Sequence, residues 1–186
     1  MNASVSLWFV FALLLFWAMG AYNRLVRLRS RGIAAFANLE TFFNQYIVMA
    51  KTKVPQWYAA AAPGTGHPDN DASVAAWAAL AAAAEQLNAS LKVAHTRPLN
   101  GPTMSALRTA FETLCLSWLR LRDLPADLAG AAVPDTLQSQ WEMVAVQVEM
   151  ARTDFNRTVT NYNQAISQFP ALLLARVFGL QPAQPI

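Results

Sequence analysis

Two histidines, His67 and His95, and one cysteine, Cys115, are the residues whose types best suit metal or nucleophilic chemistry. Their spacing supports neither. Zinc needs several N or S donors converging on one point, and the chain has no HExxH pair and no Cys/His ligand spacing. Gly64-Thr65-Gly66 lacks the lysine and the remaining glycine of a phosphate-binding loop. The 11 acidic residues are scattered, and no Glu-x-x-His pair marks a di-iron bundle. Nothing favours a Ser/His/Asp triad. No catalytic, cofactor-binding or metal residue is therefore assigned, no cofactor is expected, and the chain reads as a non-enzyme. Cys115 lies among Leu114, Leu116 and Trp118 and reads as a buried small hydrophobe.

The remaining polar signal is a cluster of arginines. Arg24, Arg27, Arg29 and Arg31 fall within eight residues, although the net charge is only +3. Nucleic-acid binders spread such charge over a face, so no nucleic-acid partner is expected. Here the cluster follows residues 5–22, VSLWFVFALLLFWAMGAY, an uncharged apolar run. About 18–20 such residues cross the hydrocarbon core as a helix. Trp8, Trp17 and Tyr22 suit the two interfaces. A secretory signal peptide is the competing reading: Ala18-Met19-Gly20 is a passable cleavage site, but residues 1–4 carry no positive charge. Basic residues beside a membrane segment stay in the cytoplasm. Residues 1–22 are thus read as a transmembrane anchor, single-pass, with the N-terminus out and the C-terminal domain cytoplasmic. The four arginines flank the membrane, and they either set topology alone or also bind anionic headgroups. Hydrophobic residues at 55% and charged residues at 13% fit an anchor plus alanine-rich helices, against about 25% charged in a soluble domain.

Helices account for the rest. Phe36, Leu39, Phe43, Tyr46 or Ile47, Ala50 and Val54 recur at steps of three and four. Only Gly32 interrupts weakly, so one helix is expected from residue 5 to 54, about 75 Å long. Residues 63–70 read as a loop, and Asp71 or Ser73 as the cap of a second helix, 71–95, with Val74, Trp77, Leu80, Ala84, Leu87 and Leu91 on one face. After Pro98 to Pro102, Thr103 is expected to cap a third helix, 103–122. Asp135 with Gln138 reads as a capping box opening the fourth, 135–169. Its stripe runs Leu137, Trp141, Val144, Val148, Ala151, Phe155, Val159, Tyr162, Ile166, Phe169, and Pro170 ends it. Trp77, Trp118 and Trp141 are read as core; Trp57 and Tyr58, beside Pro55, are candidate contact residues. The expected fold is all-α: an N-terminal transmembrane helix continuing into an antiparallel up-down four-helix bundle, residues 23–169, with its first helix from 23 to 54. Four passes return Phe169 toward the membrane. The apolar segment 170–186, with Leu173 and Phe178 as candidate contacts and Arg176 as its one charge, then closes the bundle's base, lies on lipid, or meets a neighbouring subunit.

Two stretches carry a resemblance. One is the anchor followed by Tyr22-Asn23-Arg24-Leu25-Val26-Arg27-Leu28-Arg29. The other is Phe155-Asn156-Arg157-Thr158-Val159-Thr160-Asn161-Tyr162-Asn163-Gln164-Ala165-Ile166, continuing to Phe169-Pro170 and Phe178-Gly179-Leu180. Both resemble bacterial LemA-family proteins. Between them the likeness weakens: residues 38–48 lack the paired basic residues and the proline usual there. The resemblance implies a membrane-anchored helical bundle at the inner membrane of a bacterium, some relatives being linked to membrane remodelling or to membrane proteases. It also makes Asn161, Tyr162 and Asn163 candidates for a polar contact at the membrane-proximal end. The expected partners are the lipid bilayer and further copies of the chain in a homo-oligomer, with coiled-coil-like seams. The expected role is a self-assembling scaffold; the alternative is an adaptor or regulatory partner of another membrane protein, such as a membrane protease. A ligand-sensing bundle would call for a second membrane helix and an output module, and neither is evident.

Overall fold

One unbroken helix of 50 residues, α1 (Ala3–Thr52), carries the chain from its apolar opening into a helical bundle. The computed structural model describes residues 3–52, 68–125, 132–169 and 171–186. Among these residues the other helices are α2 (Pro68–Thr96), α3 (Gly101–Arg122), α4 (Asp135–Ser167) and the short α5 (Ala171–Val177), with no strand. The architecture is therefore all-α.

Two patterns share α1. From Leu7 to Met19 large apolar side chains stand exposed all round the helix; Phe16 is 78% exposed. The helix that carries it is long and apolar enough, by length and composition, to cross a membrane. From Leu25 onward only one stripe is buried: Leu25, Phe36, Leu39, Phe43, Tyr46, Ile47 and Ala50. That spacing keeps one face against the core. Gly32 does not break the helix. A Cβ there would meet the methyls of Leu99 at 3.4 Å, an ordinary van der Waals contact, so the helix packs closely on that side chain at this point. Leu99 itself has φ +70 in the turn between α2 and α3, a left-handed conformation that disfavours branched side chains.

The helices alternate in direction. Glu40 and Lys51 on α1 pair with His95 and Glu85 on α2, at 3.0 and 2.6 Å. Phe36 meets Phe155, and Tyr46 meets Trp141, across α1 and α4. Later residues of one helix thus face earlier residues of its neighbour. α1 lies closest to α4, and α2 to α3. Alanines explain the second pairing. Ala83, Ala84, Ala94 and Ala110 are buried, and small side chains shorten the distance between helix axes. Between α3 and α4 bulk fills the gap instead: Trp118 and Trp141 stack at 4.1 Å with planes 6° apart. Trp77, Trp118 and Trp141 are all core residues.

The helix starts differ from the sequence reading. α2 begins at Pro68, so Asp71 and Ser73 lie inside it rather than at its cap. Asn100, not Thr103, caps α3: its side chain accepts from the Thr103 amide at 3.4 Å, while Pro102 sits in the first turn. The Thr103 hydroxyl instead donates back to the carbonyls of Arg97 and Asn100, at 3.1 and 2.9 Å. No capping box opens α4. Its cap is Pro134, whose carbonyl accepts from Leu137 and Gln138, and the Gln138 side chain donates to Glu142 at 3.1 Å. Proline fixes the entering φ without a side-chain bond, which leaves Asp135 one position inside, where a negative charge still favours the helix dipole. α4 ends at Ser167, so Phe169 leaves the stripe and is exposed.

Candidate functional site

Beyond α4 the chain turns twice. α5 packs on α1 and α4 with Ala175 buried, and the Phe178 ring meets Tyr22 at 4.6 Å. This closes the end of the bundle nearest Tyr22, here called the proximal end. Leu173, Val177 and Phe178 nevertheless stay exposed. Gly179, at φ +64, then reverses the chain, and the Leu180 amide donates to the Ala175 carbonyl at 2.8 Å. A left-handed residue at that position is the usual way to end a helix and is cheapest for glycine.

Residues 180–186 form a strap laid along α4, running antiparallel to it. Two asparagines hold it. The Asn163 side chain donates to the Ala183 carbonyl at 2.7 Å and accepts from the Ala183 amide at 2.9 Å. Asn156 does the same for Ile186, at 2.8 and 2.9 Å. A carboxamide can do this because it offers an acceptor and a donor side by side, matching the N–H and C=O of one residue. The spacing also matches. Seven helical residues rise about 10.5 Å, and three extended residues span about 10 Å, so each asparagine meets the third residue on. Arg152 adds a bond to the Ile186 carbonyl at 3.1 Å, and the Tyr162 hydroxyl donates to the Gln181 carbonyl at 3.1 Å. Burial pushes the Tyr162 phenol above its ordinary pKa, with Arg29 pulling the other way, so the hydroxyl keeps the proton it donates. Ala183 and Ile186 bury their side chains in the core.

The strap forms one wall of a half-open cleft of about 460 Å³ at the proximal end. Arg29 of α1, the turn from Arg97 to Asn100 and the segment from Phe178 to Pro182 line it.

The four flanking arginines, Arg24, Arg27, Arg29 and Arg31, are exposed on α1, and only Arg29 reaches the cleft. Of the candidate polar trio, Tyr162 and Asn163 bind the strap, while Asn161 is exposed and takes no part. Trp57 and Tyr58 lie outside the described residues. Asn156, Arg152, Arg97 and Gly179 were not singled out by the sequence. A signal for Asn156 exists: Phe155-Asn156 and Tyr162-Asn163 repeat an aromatic-Asn pair seven residues apart, burying the ring and aiming the amide along one face.

Cys115 is partly buried, and burial pushes its thiol up to about 11, against a downward pull from Arg152. No group of three or more His, Cys, Asp or Glu side chains placed to hold a metal occurs among the described residues.

These features define a class: a helical bundle with a long apolar leading helix and a C-terminal strap pinned by paired asparagines. Residues 101–185, just under half of the chain, match the family model described as the LemA family. The matched stretch takes in α3, α4, α5 and both strap-holding asparagines. No curated protein and no solved structure matches the chain. The family and the apolar leading helix fit a membrane-associated helical protein.

Proposed function

We propose that the protein is a membrane-anchored scaffold that self-associates at the bacterial inner membrane and performs no catalysis. Residues 1–22 hold it in the bilayer, N-terminus out, and the arginines behind them keep the bundle on the cytoplasmic side. The observation that carries self-association is a second apolar seam on α4. Met143, Val146 and Met150 are each 61% exposed, spaced three and four apart, and turned away from the core stripe. Such a repeat is the pattern by which helices join across subunits. Most charges bordering it are already paired within α4: Arg152 with Glu149 at 3.3 Å and Arg157 with Asp154 at 2.6 Å, while Glu142 accepts from the Gln138 side-chain amide at 3.1 Å and keeps its charge. A second copy approaching this seam therefore meets one uncompensated carboxylate at its edge.

Light scattering of the full chain in detergent tests the reading. A homomeric particle of several copies is expected, dispersing when Val146→Glu and Met150→Glu are combined. A monomer in both cases overturns self-association. A monomer that copurifies stoichiometrically with one membrane enzyme would favour the adaptor reading instead.

A further inference from the structure

We infer that the proximal cleft binds the phosphate of an anionic phospholipid headgroup, gripped by Arg29 and Arg97. The inference rests on the anchored reading and adds a defined site to it. Charge is the first ground. The stretches nearest this end, residues 23–39, 96–107, 155–169 and 171–186, contain no Asp or Glu and hold seven of the 14 basic residues. Glu40, paired with His95, and Asp154, paired with Arg157, stand at its border. The other acids among the described residues sit farther along the bundle, so the modest net charge conceals a cationic end. Pairing is the second ground. Neither Arg29 nor Arg97 forms an ion pair among the described residues, whereas Arg122, Arg152 and Arg157 each find a carboxylate. A guanidinium presents a planar fork suited to phosphate oxygens.

The cleft is also preformed and amphiphilic. Arg97 sits in a turn fixed by bonds from the Asn100 amide and the Thr103 hydroxyl to the Arg97 carbonyl, at 3.3 and 3.1 Å. The strap fixes the opposite wall. Leu99, Phe178 and Leu180 supply apolar lining beside the two cations, as a headgroup joined to a glycerol backbone requires. Depth agrees. Arg29 lies seven residues past Tyr22, about 10 Å along the helix, just beyond a headgroup layer roughly 5–8 Å thick, and a long arginine side chain reaching back toward the bilayer spans that gap. The exposed apolar side chains of α5 border the same end and suit contact with the bilayer surface.

The test titrates short-chain phosphatidylglycerol into the detergent-solubilised full chain and follows bound lipid by native mass spectrometry. Arg97→Gln and Arg29→Gln should each weaken binding roughly fivefold, with Arg97→Lys falling less. Arg176→Gln removes the same charge from the same end but outside the cleft, and should change binding less than about twofold. Equal losses for Arg176→Gln and Arg97→Gln would mean diffuse charge attraction and overturn the site. Inorganic phosphate displacing the lipid at equal concentration would mean a free-anion site and overturn the lipid assignment. Carbonate washing of membranes separates the anchored reading: extraction of the wild-type chain sinks that reading whatever the titration shows. Retention with unchanged lipid binding in Arg97→Gln sinks only the cleft.

Discussion

Residues 7–19 and residues 25–50 of α1 belong to one helix, yet they face different surroundings. In the first stretch leucine, phenylalanine and tryptophan are exposed on every side; in the second, apolar side chains are buried along one stripe and polar ones face outward. Backbone hydrogen bonding is the same in both, so the difference lies wholly in how apolar surface is distributed around the axis. An all-round apolar helix needs an apolar solvent, whereas a striped one needs only a partner on one side.

Substitutions can break or sharpen that contrast. The largest effect is expected for Phe155→Ala, which empties the core position against Phe36 and should cost the bundle about 3–5 kcal/mol. Phe16→Ala, of the same chemistry in the leading stretch, should leave bundle stability within about 0.5 kcal/mol. Chemical denaturation of the full chain in detergent reads both, and equal losses would erase the distinction. Next, Leu14→Arg should disfavour membrane insertion by about 2.5–3.5 kcal/mol and release chain into the carbonate-soluble fraction. Val48→Arg, exposed in the striped stretch, should not.

The strap extends the comparison to α4, whose one face is held by apolar burial and whose flank is held by polar pairing. Asn163→Leu removes both bonds to Ala183 and should cost about 1–3 kcal/mol, the cost of leaving buried partners unpaired. Hydrogen exchange at the Ala183 amide should accelerate while the core of α4 stays protected; Asn161→Leu should change neither. The smallest effect concerns Cys115. With its thiol pushed up to about 11, little thiolate exists at neutral pH. Alkylation in the folded protein should be slow at pH 7 and quicken steadily as pH rises toward that value. Rapid modification at neutral pH would show the packing around α3 to be looser than described.

Periodic parts of this molecule were legible in the sequence. Leu137, Trp141, Val144, Val148, Ala151, Phe155, Val159, Tyr162 and Ile166 form the expected stripe and are all buried. Burial repeats with the helix, so a single sequence carries it. Caps were less legible, because Thr103 and Asp135 compete with neighbours, Asn100 and Pro134, that serve the same backbone groups. The strap itself was not legible, although Tyr162 and Asn163, two of the residues that hold it, were candidates for a polar contact. Ala183 and Ile186 have no local period, and their partners lie 20 and 30 residues away. The cleft was hidden for a similar reason: Arg29 and Arg97 are 68 positions apart in the sequence and meet only once the turn after α2 returns to α1.

A spin-label scan along α1 in lipid vesicles, one site at a time from Leu7 to Ala50, addresses the central claim directly. Collision with dissolved oxygen should be high at every position from 7 to 19. Beyond Leu25 it should give way to an alternation of about 3.6 residues in access to a water-soluble relaxant. The same alternation beginning at Leu7, with aqueous access on one face, would show that the leading stretch lies in water against a protein partner and would contradict the account.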